Sequence, residues 1–239
     1  MIEVDYFGKT YGREMAVNDI CFRVGPGQVL GLVGPNGAGK TTTLRALTGI
    51  IEPSHGRLQV AGFDVERQPL EVKRRTAYVA DDPQLFSELT VLQHLEFTAS
   101  VYGVAAWRAE ADSLLAQFEL ERKARTPASD LSRGMRQKLA ICCAYLQRPQ
   151  ALLLDEPMTG LDPRGIRTLK NTVAARAEQG AAVIISSHLL GVIEELCSHV
   201  VILDRGHQRF FGPLAELKQQ ARVAGASLED IFFDTVEAG

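Results

Sequence analysis

Residues 29–42 read Val29-Leu-Gly-Leu-Val33-Gly-Pro-Asn-Gly-Ala-Gly-Lys-Thr-Thr42. The run Val29–Val33 has the apolar pattern of a short strand covered on both faces. Residues 34–41 then satisfy G-x-x-x-x-G-K-[ST] through Gly34, Gly39, Lys40 and Thr41. Glycines let backbone N–H groups curl around an anion without Cβ clashes. A helix running from Lys40 to about Gly49 aims its positive end at that anion. In such a loop Lys40 reaches the β- and γ-phosphates of a nucleotide and the Thr41 hydroxyl binds Mg²⁺.

A second apolar run, Ala151–Leu154, leads directly into Asp155-Glu156-Pro157. Carboxylates at the C-terminal end of a parallel strand sit where open α/β sheets bind ligands. Asp155 suits a direct or water-mediated partner of Mg²⁺, and Glu156 suits polarising the water that attacks a γ-phosphate. On its own the Asp-Glu pair is also what a solvated turn contains; the phosphate loop is what selects the chemical reading. Further strands are expected at Thr76–Val79, Ala182–Ile185 and Val200–Leu203, with a strand pair over 56–65 and a hairpin turn at Asp204-Arg-Gly206. Helices are expected over Leu89–Tyr102, Trp107–Lys123, 164–179 and 189–197. The stripe Met135, Leu139, Cys142/Cys143, Leu146 is one helical face, ended by Pro149. Alternating strands and helices predict an α/β fold, a parallel sheet with helices on both faces. The helical middle reads as a lobe inserted into it.

The chain has 239 residues, 46% apolar and 23% charged, which excludes a disordered chain and a small disulfide scaffold. At this length one large domain, or one with an inserted lobe, is expected. The formal net charge of −3 gives no global attraction to nucleic acid or to an anionic lipid surface. No apolar run approaches the ~18 residues of a membrane span, and no signal peptide is visible at the N-terminus. Cys21, Cys142, Cys143 and Cys197 form no CxxC pair and read as free thiols of a reducing cytoplasm.

Together these residues resemble the ATP-binding cassette (ABC) ATPases, in the family's motif order and over nearly the whole chain. Gly34, Asn36, Gly37, Gly39, Lys40, Thr41 and Thr42 look like its Walker A loop, and Leu152–Glu156 like Walker B with the catalytic Glu156. Leu131-Ser-Arg-Gly-Met-Arg-Gln137 looks like the signature sequence, with Ser132 and Gly134 in place. Gly160-Leu-Asp162 looks like the D-loop, and His188 like the switch histidine that contacts the γ-phosphate. Tyr11 lies where the family stacks a ring on adenine; a strand residue packing on the hairpin is the other reading. The resemblance implies a P-loop NTPase (RecA-like) core with an N-terminal antiparallel β subdomain and an inserted α-helical lobe. That divides one ABC ATPase domain, 1–239, into a catalytic core (1–82 and 148–212), a helical lobe (83–147) and a C-terminal helical tail (213–239). It also implies ATP and Mg²⁺ as cofactors. Two ATPase subunits, identical or related, would pack head to tail with ATP between Walker A of one and the signature of the other.

The sequence departs from the family at the end of the strand Thr76–Val79, where Asp81 stands in place of the usual Gln or, in some branches, Glu. A shorter, charged Asp81 either holds Mg²⁺ more directly, repels the γ-phosphate until the metal arrives, or only caps the next turn. Arg133 and Met135 likewise replace the commoner Gly and Gln of the signature. One motif set without a membrane span implies a separate transmembrane permease, met by residues about 83–105. The chain would then lie in the cytoplasm, peripheral on the inner face of the membrane. The tail Ser227-Leu-Glu-Asp-Ile-Phe-Phe233 resembles a segment of ABC-2 type, mostly exporting, ATPase subunits. The alternative is a soluble ABC ATPase acting on nucleic acid or ribosomes, against which stand the short gap from Lys40 to Leu131, the single cassette and the acidic balance. A nucleotide-sensing module without turnover is a third reading, opposed by Glu156 and His188.

Overall fold

The computed structural model describes residues 1–220 and 227–237. The strands are β1 (Ile2–Tyr11), β2 (Glu14–Val24), β3 (Val29–Val33), β4 (His55–Val60), β5 (Phe63–Asp64), β6 (Thr76–Val79), β7 (Ala151–Asp155), β8 (Ala182–Ser186), β9 (His199–Asp204) and β10 (His207–Pro213). The helices are α1 (Lys40–Leu47), α2 (Pro69–Arg75), α3 (Val91–Tyr102), α4 (Trp107–Gln117), α5 (Arg133–Leu146), α6 (Pro163–Glu178), α7 (Leu190–Leu196), α8 (Leu214–Gln220) and α9 (Leu228–Glu237). The strands form one sheet in the order β5-β4-β1-β2-β10-β9-β3-β8-β7-β6. Strands β9, β3, β8, β7 and β6 run parallel, whereas β1, β2, β4 and β5 form an antiparallel arm. The two parts meet where β10 pairs with β2 through the single ladder pair His207–Asn18.

Burial explains the parallel part. Every residue of β3, β7 and β8 is buried. Alternate side chains face two apolar clusters. Leu30, Leu32, Leu153 and Ile184 join the arm and α1, while Val33, Leu154 and Ile185 join α3–α7. This two-sided burial is what a run such as Ala151–Leu154 encodes, because a polar residue on either face would lie in a dry layer.

Helices α3, α5 and α6 start on side-chain caps, from Thr90, Ser132 and Asp162. Thr90 and Gln93 form a capping box at α3, and Gly103 closes that helix in the left-handed region at φ 66°. Two expectations are corrected. The helix expected over Trp107–Lys123 ends at Gln117; Glu119 takes φ 60°, and Glu121–Lys123 is a separate 3₁₀ turn. Helix α2 was not expected. It is short and polar, starting on Pro69 and tied by a Glu71–Arg75 ion pair one turn apart. Within the expected helical tail the structure shows α8 and α9, Pro213 ends β10, and 221–226 and 238–239 lie outside the described residues.

Candidate active site

The phosphate loop joins β3 to α1 and is shaped by close approach. A Cβ on Gly34 would lie 2.4 Å from the Leu203 carbonyl oxygen, and Gly39, at φ 102°, sits where a Cβ would come 2.8 Å from the Ala16 oxygen. Both positions therefore demand glycine. Beneath the loop Lys40 is buried, 7% exposed. Its Nζ donates to the carbonyls of Gly34 at 2.6 Å and Pro35 at 3.2 Å, and lies 4.0 Å from Glu156 Oε1. Burial pushes the Lys40 ammonium below its ordinary pKa, partly offset by the charges of Glu156 and Asp155. A phosphate would supply the anionic partner this desolvated cation has only at a distance.

A cavity of about 560 Å³ opens over the loop. Its walls include Asn36, Gly37, Gly39, Lys40, Thr41, Thr42, Asp81 and Glu156, with Glu14–Ala16 and Arg205 closing the far side. Six of the expected Walker A positions, Asp81 and the expected base thus share one wall set. Tyr11 is not among the lining residues: it is 48% exposed at the end of β1, with Lys9 Nζ 5.2 Å from its ring centroid. Arg205 was missed. The sequence shows it only as a turn residue; in the structure it takes φ 45° in the β9–β10 turn and lines the cavity.

The carboxylates divide by environment. Asp155, 1% exposed, accepts from Ser186 Oγ at 2.7 Å and from Tyr78 Oη at 3.1 Å. Each of its oxygens is thus engaged, so Asp155 fits a water-mediated role toward a cation rather than direct ligation. Burial, with the Asp155 charge next, pushes the Tyr78 phenol up to about 12, keeping it a proton donor. Glu156 sits just past β7 at φ 45°, its N–H donating to Ser186 Oγ at 2.9 Å. Its Oε2 lies 2.8 Å from His188 Nδ1 and accepts from the His188 N–H at 3.2 Å. The His188 side chain is 65% exposed and the Glu156 side chain 17%. A carboxylate near the buried ammonium of Lys40, oriented by an exposed imidazole, can hold and deprotonate a water.

The signature and D-loop residues lie together, apart from these walls. Ser132 caps α5 by accepting from the Met135 N–H at 3.3 Å, and Asp162 caps α6 by accepting from the Gly165 N–H at 3.1 Å. A Cβ on Gly134 would lie 2.2 Å from the Gly160 oxygen, so the two segments pack backbone to backbone. Lys138 Nζ sits 3.2 Å from Asp162 Oδ1, and this bond holds the Asp162 carboxyl below its usual pKa. Among the described residues, no group of three His, Cys, Asp or Glu is arranged to hold a metal. Mg²⁺ does not need one, since it keeps waters and takes one or two protein oxygens beside substrate phosphates. Thr41 and Asp81, both on the cavity wall, fit that demand.

The family profile described as ABC transporter matches residues 17–159. The chain belongs to the ABC transporter family. EcsA of Bacillus subtilis, an ABC-type transporter ATP-binding protein, is 34% identical over 94% of this chain and 92% of its own length. The daunorubicin resistance ATP-binding protein DrrA3 of Streptomyces coeruleorubidus is 35% identical over 92% of this chain and 70% of its own. A solved ATP-binding subunit of an ABC transporter superposes with a TM-score of 0.94 at 33% identity, covering 98% of this chain and 99% of that one. The fold is also that of a dimeric ABC cassette solved with ADP and phosphate, at a TM-score of 0.81 and 23% identity over 90% of this chain and 99% of that one. This cassette is therefore an ATPase of the P-loop ABC fold, with relatives in the ABC-2 exporter branch.

Proposed function

We propose that this cassette hydrolyses Mg²⁺–ATP to power a separate membrane permease, in the direction of export. The observation that carries the reading is the convergence of Lys40, Glu156 and His188 beside the cavity. Lys40 gives up its carbonyl partners to the β- and γ-phosphates. Glu156 takes the proton of the attacking water, and His188 keeps that carboxylate aimed and reaches the γ-phosphate. Thr41 and Asp81, with Asp155 behind them, would hold Mg²⁺, which would supply positive charge beside the transferred phosphoryl group. Tyr11, exposed beside Glu14 in the β1–β2 hairpin, is the surface assigned to adenine.

Ser132, Gly134 and Asp162 are assigned to ATP held by a second ATPase subunit, identical or related. ATP closes that pair because only ATP offers the γ-phosphate contacts. Residues 83–147 serve as the lobe that meets the permease, 1–82 and 148–212 as the catalytic core, and 213–239 as the tail. In support, Phe86 and Phe97 stand 58% and 48% exposed around an apolar recess of about 470 Å³ with Leu85 and Leu89. Among the described residues no helix is long and apolar enough to cross a membrane; the permease is assigned to another chain, with this cassette on the cytoplasmic face. Export is favoured by the names of the relatives, which include a Nod factor export ATP-binding protein of Paraburkholderia xenovorans. Cross-linking in cells, mild detergent extraction and identification of what co-purifies with the tagged chain tests the reading. A stoichiometric multispanning protein supports it; ribosomes or nucleic acid would replace it with the soluble alternative.

A further inference from the structure

Asp81 is a cavity-wall carboxylate whose cationic partner comes from the signature turn. Its Oδ1 lies 3.2 Å from Arg133 Nη2, across 52 positions of sequence. The two side chains are 48% and 50% exposed, so the bond sits at the mouth of the site. Arg133 is the first residue of α5, directly after the cap Ser132. One ion pair thus ties the nucleotide cavity to the signature turn of the same chain. The two side chains carry opposite charge.

We propose that Arg133 is a positioning residue for the nucleotide site of its own chain, holding the Asp81 carboxylate while the phosphates are absent and yielding it when metal-loaded nucleotide fills the cavity. This rests on the reading of the cavity as an ATP site. The electrostatics give the proposal a sign. The cavity wall carries Glu14, Asp81 and Glu156 against Lys40 and Arg205. A bare Asp81 at its mouth repels an incoming polyanion; paired to Arg133, it repels less. A divalent cation reverses the balance, since it competes with Arg133 for the same carboxylate. Arg133 therefore favours metal-free nucleotide and disfavours the metal complex. By linkage the effect is reciprocal: filling the site with metal–nucleotide frees Arg133, and with it the first turn of α5, by the same factor.

The test is equilibrium titration with a ribose-labelled fluorescent ATP, once with Mg²⁺ and once with EDTA, at concentrations where light scattering reports the monomer. Arg133→Gln is expected to bind about two- to five-fold more tightly with Mg²⁺ and about two- to five-fold more weakly with EDTA, the range an exposed ion pair supports. Arg133→Lys, which keeps the charge, restores the wild-type pattern. In an Asp81→Asn background the same Arg133 substitution changes neither titration. A merely structural arginine would shift both titrations the same way, and that outcome, or an effect that persists without the Asp81 carboxylate, overturns the proposal. Wild-type protein that binds no ATP under either condition overturns the functional reading itself, which separates the two failures. Arg133 is half exposed at a helix start, so its truncation leaves the apolar clusters intact.

Discussion

Replacing Glu156 by Gln preserves the shape of the site and removes the proposed base. The Gln side chain has the same Cβ, so the φ of 45° is no more strained, and its carbonyl oxygen still accepts from the His188 N–H. What disappears is a negative charge 4.0 Å from Lys40 Nζ and the group able to take a proton. Loss of a general base lowers turnover about 10²–10⁴-fold, which is ~2.7–5.5 kcal/mol at 1.36 kcal/mol per tenfold. Binding should move the other way. Glu156 competes with phosphate for Lys40, and unit charges 4 Å apart interact by about 4 kcal/mol at an effective dielectric of 20, before desolvation offsets most of it. Steady-state phosphate release should fall in that range, while fluorescent-nucleotide affinity is unchanged or tighter and an ATP-bound dimer accumulates on gel filtration. Turnover within about threefold of wild type would remove Glu156 from the role of base. Turnover and binding lost together would show that the substitution had broken the site.

Three other perturbations have definite signs. Lys40→Met replaces a buried ammonium by an apolar chain of similar length, so the nucleotide-free protein should melt no lower while the rise in Tm produced by ATP disappears in thermal-shift scans. Gly134→Ala drives a methyl into the Gly160 carbonyl and should destabilise by about 1–3 kcal/mol in urea titrations, with the D-loop shifted. Lys138→Met removes the main cause of the lowered Asp162 pKa. A depressed carboxyl stabilises above its unfolded pKa of 3.8 and loses that contribution as pH falls through the folded value. The stability gap between wild type and this variant, a few tenths of a kcal/mol for so exposed a carboxyl, should therefore hold from pH 7 to 5 and close toward pH 3.

The phosphate loop and β7 were legible because their information is local. Gly34–Thr42 carries its chemistry within nine residues, and Ala151–Leu154 can be satisfied only between two apolar layers. The end of α4 was not legible, since nothing in the apolar pattern marks Glu119 as left-handed. Helix α2 has one buried residue, Val72, too few to leave a periodic stripe. Partnerships across the fold were hidden for a different reason. Tyr78 and Ser186 occupy both oxygens of Asp155 from strands 77 and 31 positions away, and Arg133 meets Asp81 over 52. Such pairs depend on strand order, which spacing along the chain does not encode. Arg205 belongs with them, because only the β9–β10 turn geometry points to the cavity.

The join between β2 and β10 sets how the molecule loosens. One ladder pair spans it, His207 with Asn18, supplemented by the Asn18 N–H donating to the Gly206 oxygen at 2.8 Å and the Cys21 N–H donating to Gln208 Oε1 at 2.8 Å. The parallel strands are held to one another by continuous ladders, whereas the arm is held to them mainly by the apolar cluster it shares with Leu30, Leu32, Leu153 and Ile184, so the arm is the natural cooperative unit to detach first. Amides of β1, β2 and β4 should exchange with solvent as one class, faster than those of β3, β7 and β8. That arm carries Glu14, Met15 and Ala16, the far wall of the cavity. A nucleotide touching both walls would bridge the seam, so the slowing of arm exchange on binding becomes a direct gauge of how much of the ligand's grip falls outside the phosphate loop.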